Sequence, residues 1–441
     1  MLDEALRLAT AASPRGRSYG LLVVLGTLHH TRAVYEEQIG QDPRASRDQA
    51  VDAYQAATQL EAGSAAAWSN LGNEYKLRGL HPGAVDPDGD LQRGAGALDR
   101  ALALNPENVA IHFNAAELRL ATAARAQERG NDPRKTLDEA LGFYRSGSAL
   151  NSRLPQLHLG AGSALLEMAA AQWDRGEDPA PALQAAIEAF ERAIELAPAQ
   201  GFGQNNLGDA LAQQARYEAA LGHESSASLD RAEQALRAAL ERIPGRAEPW
   251  STLGDVQRLK GERAQARGRD PTVELERAEK SLETALRLNP KLLSAWHHLG
   301  EVRVARAGWD AAHSRQADAR FQKAVEALEH ALGVDSGSSE VQLELARTLR
   351  AWAAWRGRSG QDTANELQRA RAAAEIALKA RPRWPEAMAV RSAILAALGG
   401  IPGSPDGPAL LDEARRQLGD ALRANPHLGA EWGPLEASLR R

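Results

Sequence analysis

The 441-residue sequence contains no cysteine and few aromatic residues. Without cysteine, the chain has no disulfide bond, no thiolate nucleophile and no cysteine-ligated zinc. The longest apolar run near the start, Leu21–Leu25, is far shorter than the roughly 20 residues that a membrane-spanning helix needs. A signal-peptide pattern is also missing, so the sequence predicts a cytoplasmic protein that does not enter a membrane.

Neither sign of charge dominates the chain. It has 53 basic and 58 acidic residues, a net charge of −5, and no long basic run. This balance argues against nucleic acid or an anionic membrane as the main partner.

Familiar catalytic motifs are missing as well. The sequence has no GxxxxGK[ST] phosphate loop, no HExxH zinc helix and no kinase catalytic loop. His29 with His30, and His297 with His298, do not suggest a metal site, because adjacent residues on a helix diverge by about 100°. We therefore expect a protein that is not an enzyme and that uses no cofactor or metal ion.

What the chain does contain is a motif that recurs at a nearly constant interval. Its strongest copies read WSNLG, QNNLG, WSTLG and WHHLG. The first residue of each copy, here called the anchor, is found at Leu22, Trp68, His112, His158, Gln204, Trp250, Trp296, Gln342, Met388 and Trp432. Successive anchors are 46 residues apart, or 44 at two places. A fixed period of this size indicates a repeat architecture.

Each repeat also carries a small–large–small triplet before the next anchor, as in Ala278, Leu282 and Ala285. This spacing places the three residues on one helical face, where small residues let two helices approach and the large one fills the gap between them. A proline six residues before most anchors, as at Pro290, marks the junction between one helix and the next.

A second junction divides each repeat into two helices. Aspartate–proline pairs, as at Asp178 and Pro179, predict a helix that starts with proline in its first turn and aspartate as its cap. A glycine two residues before the aspartate predicts the end of the preceding helix; examples are Gly40, Gly130, Gly176 and Gly268. Each repeat is thus predicted to be a helix, a tight turn and a second helix.

This combined pattern resembles the tetratricopeptide repeat over nearly the whole chain, although the family unit has about 34 residues. The resemblance implies an all-α fold, a right-handed α-solenoid of stacked antiparallel helix pairs. Repeats with the long unit, carrying RGNDP, RGEDP and RGRDP, are similar to the C-terminal repeat regions of bacterial serine/threonine kinases.

The repeat period divides the chain into three predicted segments. Residues 18–427 are expected to form nine helix pairs, and residues 428–441 a capping half-repeat. Residues 1–17 resemble the second helix of a repeat. We leave two interpretations open for them: a fragment of a longer polypeptide, or a natural cap that covers the end of the solenoid.

A stripe of amide, carboxylate and imidazole groups follows the anchors on the first helices, which line the concave side of such a solenoid. The predicted partner-binding residues are Asn70, Asn73, Asn114, Glu117, Asn205, Asn206, Asp209, Asp255, His297, His298 and Glu301. Amides bind an extended peptide backbone, and carboxylates select arginine or lysine. The alternative for each residue is a solvated helix face without a ligand.

The sequence therefore predicts a non-catalytic interaction scaffold. We expect it to bind a protein or an extended peptide, with basic side chains, as the regulatory or targeting part of a bacterial signalling protein such as a kinase. The alternative is a structural repeat module that self-associates.

Overall fold

The helix boundaries follow the repeated signals of the sequence. The computed structural model describes residues 4–8, 18–39, 41–313, 316–403 and 405–440, and in these ranges it contains α-helices, a short 3-10 helix and no β-strand. Residues 4–8 are helical and form α1. The other helices are α2 (Tyr19–Gln38), α3 (Arg44–Leu60), α4 (Ala65–Leu80), α5 (Pro87–Leu104), α6 (Val109–Glu128), α7 (Arg134–Leu150), α8 (Pro155–Asp174), α9 (Ala180–Leu196), α10 (Phe202–Ala220), α11 (Ser226–Arg242), α12 (Glu248–Ala266), α13 (Thr272–Leu288), α14 (Leu293–Ala312), α15 (Asp318–Val334), α16 (Ser339–Arg358), α17 (Ala364–Ala380), α18 (Pro385–Gly399), α19 (Gly407–Ala424) and α20 (Gly429–Leu439).

The chain divides into two compact units. Unit 1 comprises Met1–Arg125 and Pro133–Ala164, and unit 2 comprises Ala126–Asp132 and Leu165–Arg441. Within each unit, successive helices pack against one another as pairs, so the predicted all-α solenoid is confirmed. The division into cap, array and half-repeat stays a prediction, and residues 1–3 and 9–17 of the expected cap lie outside the described residues.

The small–large–small triplet packs as the sequence predicts. Ala278, Leu282 and Ala285 are fully buried. Leu282 lies so close to the backbone of the preceding helix that a Cβ atom at Gly254 would be 2.5 Å from its Cγ. The glycine of the Leu-Gly pair is therefore needed for the close approach of α12 and α13. Burying a leucine of this kind contributes about 2 kcal/mol.

The anchors have a second role that the sequence did not reveal. The indole N–H of Trp296 donates to the carbonyl of Pro290 at 2.9 Å, and that of Trp68 donates to the carbonyl of Ala62 at 3.0 Å. A side-chain nitrogen bonds the carbonyl six residues earlier in the same way at His112, His158, Gln204 and Trp250. Each of these anchors thus fastens the turn before its own helix while it packs against its neighbours.

The turns within the repeats lie where the sequence predicts them, but the start of the second helix is shifted by one residue. Gly130, Gly176 and Gly268 have φ angles of 72°, 71° and 69°, the left-handed conformation that ends a helix; Gly40 lies outside the described residues. Asp178 accepts the N–H of Ala180 at 2.9 Å, and the helix begins at Ala180 rather than at the predicted Pro179. The aspartate therefore caps the helix across the proline.

Among the described residues, none of the helices combines the length and the apolar character needed to cross a bilayer.

Candidate functional site

The predicted residues of unit 1 are tied to their own neighbours. Asn114 donates to the hydroxyl of Ser69 at 3.1 Å. Glu117 accepts the hydroxyl of Tyr144, which reaches it from the second helix of the same repeat, and burial together with the Glu117 charge raises the pKa of Tyr144. Asn70 and Asn73 are half-buried on α4.

A buried ion-pair network stands beside these residues and was missed by sequence reasoning. Glu74 is 1% exposed and contacts Arg47 at 3.5 Å and the imidazole of His30. Arg47 is 2% exposed and also binds Glu37 at 2.7 Å. Position six after the anchor holds mostly apolar or small residues in other repeats, such as Leu118, Ala210, Val256 and Val302. The glutamate at this otherwise apolar position, Glu74, was the sign in the sequence that could have revealed the network.

In unit 2, Asp255 is held by two arginines and is only 2% exposed. Arg258 donates to its Oδ1 at 2.6 Å, and Arg216 contacts its other oxygen. Burial acts to raise the pKa of Asp255, but the charges of Arg216 and Arg258 outweigh it and hold the pKa well below its usual range. Asp255 can therefore act on a ligand only through the arginines that it positions.

Asp255, His298 and Glu301 form a metal-like cluster, because one ligand-type atom from each lies within 4.8 Å of the others. Arg258 already contacts both carboxylates, with its Nε 3.5 Å from Glu301. His298 is within hydrogen-bond distance, 3.3 Å, of the Ser251 hydroxyl. A guanidinium group at the cluster supplies the positive charge that a divalent cation would bring, so these residues fit an arginine better than a metal ion.

The remaining predicted residues of unit 2 lie on the first helices α10 and α14. Asn205 donates to Asn206 at 3.2 Å, and Asp209 accepts from Gln213 at 3.3 Å. Burial raises the pKa of Asp209. His297 stacks on His298, and burial lowers its pKa.

Unit 2 also contains a cavity of about 660 Å³ that is open to solvent, hereafter the unit 2 cavity. Its charged lining consists of the carboxylates Glu167, Asp174, Glu301, Glu340, Glu344, Glu386 and Glu431, and the arginines Arg216, Arg347 and Arg381. Of the predicted residues, His297 and Glu301 line it. The sequence located the helix face but missed most of the residues that form this cavity.

Some cavity carboxylates are paired and others are not. Arg381 pairs with Asp174, and Arg347 pairs with Glu386. Within the described ranges, Glu167 and Glu344 have neither a hydrogen bond nor an ion pair. Burial raises the pKa of Glu344 to about 8, and repulsion from Glu301 adds to the effect. Burial likewise raises the pKa of Glu167.

One residue of the cavity lining has a buried donor without an acceptor. Trp384 lines the cavity and is 7% exposed, and its indole nitrogen is buried without a hydrogen-bond partner. The Arg381 guanidinium lies 4.0 Å from the centre of the Trp384 ring, which fixes the ring by a cation–π contact.

One border of the cavity is a contact between segments far apart in sequence, hereafter the closing contact. Asn425 donates to the carbonyl of Trp173 at 2.8 Å. The ring of Trp173 stacks on His427, with centroids 5.0 Å apart. A Cβ atom at Gly176 would be 2.7 Å from Pro426. The first-helix face of unit 2, which the sequence predicts as an open surface, thus faces a cavity that is bordered by this contact.

No family model and no curated protein matches the sequence. The structure is similar to a tetratricopeptide repeat protein from Parabacteroides merdae, with 14% identity, 76% of this chain and 100% of the other covered, and a TM-score of 0.48. It is similar to the human IFIT1 dimer with m7Gppp-AAAA, with 13% identity, 96% and 95% covered, and a TM-score of 0.46.

A third similar structure is YrrB, described as a TPR protein with an unusual peptide-binding site. The identity is 17%, the coverage is 56% of this chain and 97% of YrrB, and the TM-score is 0.33. At these scores the likeness adds nothing to the fold described above.

Proposed function

We propose that the protein is a non-catalytic interaction scaffold that binds an extended, basic segment of a partner protein in the unit 2 cavity. The observation that supports this most directly is the lining of the cavity, where seven carboxylates accompany three arginines. Three of these carboxylates, Glu167, Glu344 and Glu431, have no hydrogen bond or ion pair among the described residues. Lysine and arginine side chains supply the missing positive charge.

The volume of the cavity supports a segment rather than a whole domain. Pockets of about 300–1,000 Å³ hold ligands of drug-like size, which matches a few peptide residues. The space of about 660 Å³ falls in this range. Ordering a short extended segment also costs less entropy than ordering a long loop, so a few charge-assisted contacts can give measurable affinity.

The predicted stripe extends this proposal along the first helices. In unit 2, Asn205, Asn206 and Asp209 offer amide and carboxylate groups on α10, and His297 and Glu301 line the cavity itself. In unit 1, Asn70 and Asn73 offer a separate polar surface on α4. Their contact with a partner stays a proposal.

The link to a kinase and the cellular location are inferred from the sequence alone. Phrases such as RGEDP favour the regulatory or targeting region of a bacterial serine/threonine kinase, and the cytoplasmic location expected from the sequence is part of the same proposal. A catalytic domain encoded in the same natural reading frame would support the kinase link, and its absence would reject it.

Peptide binding measured by fluorescence anisotropy tests the proposal. We expect a fluorescein-labelled (Ala-Arg)4 peptide to bind and an (Ala-Glu)4 peptide to bind at least about tenfold more weakly. Equal affinity for the two peptides, or no binding of the basic one, would reject a basic segment as the ligand.

A pair of matched variants locates the site. Glu340→Gln with Glu431→Gln removes two charges that line the cavity, and Glu188→Gln with Glu283→Gln removes two exposed charges from the second helices α9 and α13. The first pair is expected to weaken binding about tenfold and the second less than about twofold, because only the first pair contacts the ligand. Light scattering over a concentration range tests self-association separately: a monomer throughout rejects the structural alternative.

A further inference from the structure

A smaller cavity of unit 2, of about 90 Å³, lies between α13, α14 and α15. It shares no lining residue with the unit 2 cavity. The buried side chains of Leu275 and Val302 form its apolar part. Its other lining residues are four cations and one carboxylate. This set, hereafter the cationic pocket, consists of Glu279, Arg303, Arg306, Arg320 and Lys323.

The three arginines of the cationic pocket are each held by a carboxylate. Such pairs fix the position of a guanidinium group, because the carboxylate and the guanidinium meet in a defined planar geometry. The pairs are Arg303 with Glu279 at 3.1 Å, Arg306 with Glu276 at 3.2 Å, and Arg320 with Asp310. The arginines are therefore positioned by the chain itself.

Several donors of the cationic pocket remain unused after this pairing. Arg303 donates from Nε to Glu279 and from Nη1 to the carbonyl of Lys323 at 3.1 Å, which leaves its Nη2 group without an acceptor. Arg320 contacts Asp310 through Nε, and its two Nη groups donate to no described residue. The ammonium group of Lys323 has neither a hydrogen bond nor an ion pair within the part of the chain that the structure describes.

Equivalent positions in other repeats lack this excess of positive charge. Arg119, four repeats before Arg303, donates to Glu139 at 3.1 Å. Lys323 occupies the position of Glu139, so a second cation stands where the earlier repeat has the partner carboxylate. In three other repeats of unit 2 the position of Arg303 holds a buried leucine: Leu211, Leu349 and Leu395. The charge of the cationic pocket is thus a feature of this repeat and not of the repeat pattern.

The size of the cationic pocket and its unused donors determine which ligand fits. The space is far smaller than the roughly 300–1,000 Å³ that a drug-sized molecule occupies, so it suits a single small group. A phosphate group carries about −1.5 to −2 charges and three acceptor oxygens, which donors from two helices can reach separately. A carboxylate has a single charge and two oxygens in one plane, and matches three separate cations less well.

We propose that the cationic pocket binds one phosphate group, with Arg303, Arg320 and Lys323 donating to its oxygens. Glu279 and Asp310 position the two arginines. The phosphate group belongs either to a phosphorylated side chain of a partner or to a free phosphate ion, and the two sources are separated by the test. This site goes beyond the proposed function, because it selects an anion at residues that do not line the unit 2 cavity.

Isothermal titration calorimetry of the full chain at pH 7.5 and constant ionic strength tests the proposal. The ligands are inorganic phosphate, acetate, and the acetylated and amidated tripeptide Ala-phosphoserine-Ala. We expect phosphate to bind with a dissociation constant of about 1 mM or lower, and at least about tenfold more tightly than acetate. Tighter binding of the phosphopeptide than of phosphate would assign the site to a phosphorylated side chain, and the reverse order to the free ion.

Two variants and one control locate the site. Lys323→Gln removes an exposed cation without a partner and should weaken phosphate binding about tenfold. Lys379→Gln removes an equal charge from an exposed position on α17 and should change it less than about twofold. Arg303→Leu introduces the residue of the three other repeats and should weaken phosphate binding at least about tenfold, while circular dichroism shows an unchanged helical fold.

The results that would overturn the proposal are specific. Equal affinity for phosphate and acetate would reject a phosphate group as the ligand. Equal loss in Lys323→Gln and Lys379→Gln, or full binding by Arg303→Leu, would reject the cationic pocket as the site. The (Ala-Arg)4 peptide should bind Lys323→Gln as tightly as the wild type, so failure of this proposal is distinguishable from failure of the scaffold proposal.

Discussion

The two units treat the polar groups of their first helices differently. In unit 1, Glu74 is buried between Arg47 and His30, and Glu117 accepts a hydrogen bond from Tyr144. In unit 2, Asp255 is paired in the same manner, but Glu344 lies in a cavity with no partner. A charge satisfied within the chain serves stability, whereas an unsatisfied one is available for a ligand.

The charges around Lys76 in unit 1 and around Glu167 in unit 2 also differ between the units. Burial lowers the pKa of Lys76 in unit 1, and the nearby carboxylates Glu117 and Glu74 offset part of that effect. In unit 2, burial raises the pKa of Glu167, and Glu340 and Asp209 add to the increase. Opposite charges face each other in the first case and like charges in the second, so removing a carboxylate should lower stability where it faces a cation and not where it faces other carboxylates.

The largest effect is expected at Asp255, the paired carboxylate of unit 2. Asp255→Asn leaves the buried Arg258 with only Glu262 and Glu301 as counter-charges and takes the partner of the half-exposed Arg216, and should lower the free energy of unfolding by about 3 kcal/mol. Urea denaturation followed by circular dichroism measures this. Asp209→Asn, one repeat earlier in the same column, is the matched control and should change stability by less than about 1 kcal/mol, because burial already favours its neutral form. Equal losses in the two variants would contradict the assignment of Asp255.

Unit 1 provides the corresponding test at Glu74. Glu74→Gln removes the charge that faces the buried Arg47, which keeps only the half-exposed Glu37 as a partner. We expect a loss of about 2–3 kcal/mol, measured by the same denaturation. Glu117→Gln retains an acceptor for Tyr144 and serves as the control. If Glu74→Gln were as stable as the wild type, the contrast between the units would fail.

The closing contact of unit 2 gives a smaller effect. Gly176 and Gly268 both have φ near +70°, but a Cβ atom at Gly176 would clash with Pro426, whereas one at Gly268 would meet no atom within 4 Å. Both alanine variants should lose about 1 kcal/mol for the left-handed backbone. Gly176→Ala should lose about 1–2 kcal/mol more. Equal melting temperatures would show that the closing contact adds no stability.

The last effect, and the one of opposite sign, is expected at Glu344. Its raised pKa means that the folded state holds a proton that the unfolded state loses, so stability should fall as pH rises from about 4.5 to about 8, by at most about 1.4 kcal/mol per pH unit. Asp174, with a pKa raised to about 6 by burial, acts in the same direction over a narrower window. Glu344→Gln should flatten the profile and be as stable as the wild type or more stable at pH 8. A loss of stability there would show that Glu344 has an internal partner.

Much of the fold could be predicted because its signals are local and repeated. The turn at Gly176 needs a residue that tolerates a positive φ, and the pairing of Leu282 with Gly254 needs a fixed spacing on each helix. Such requirements are visible in one repeat and reinforced by the others. The start of α9 at Ala180 was misplaced by one residue because the aspartate caps the helix from beyond the proline.

The candidate site was harder to predict because it depends on relations between repeats. Asp255 occupies a column expected to meet a ligand, but Arg216 from the preceding repeat and Arg258 from its own helix cover it. The contact between Trp173 and His427 depends on the small rotation from each helix pair to the next, accumulated over several repeats. No short segment of the sequence encodes this accumulated rotation.

The closing contact also limits how a partner reaches the cavity. It consists of one stacked ring pair, one amide hydrogen bond and the packing of Gly176 against Pro426. A free chain end needs less room to enter the cavity than a loop tethered at both ends to folded domains. Opening of the closing contact should therefore increase the rate of association more for such a loop than for a free chain end.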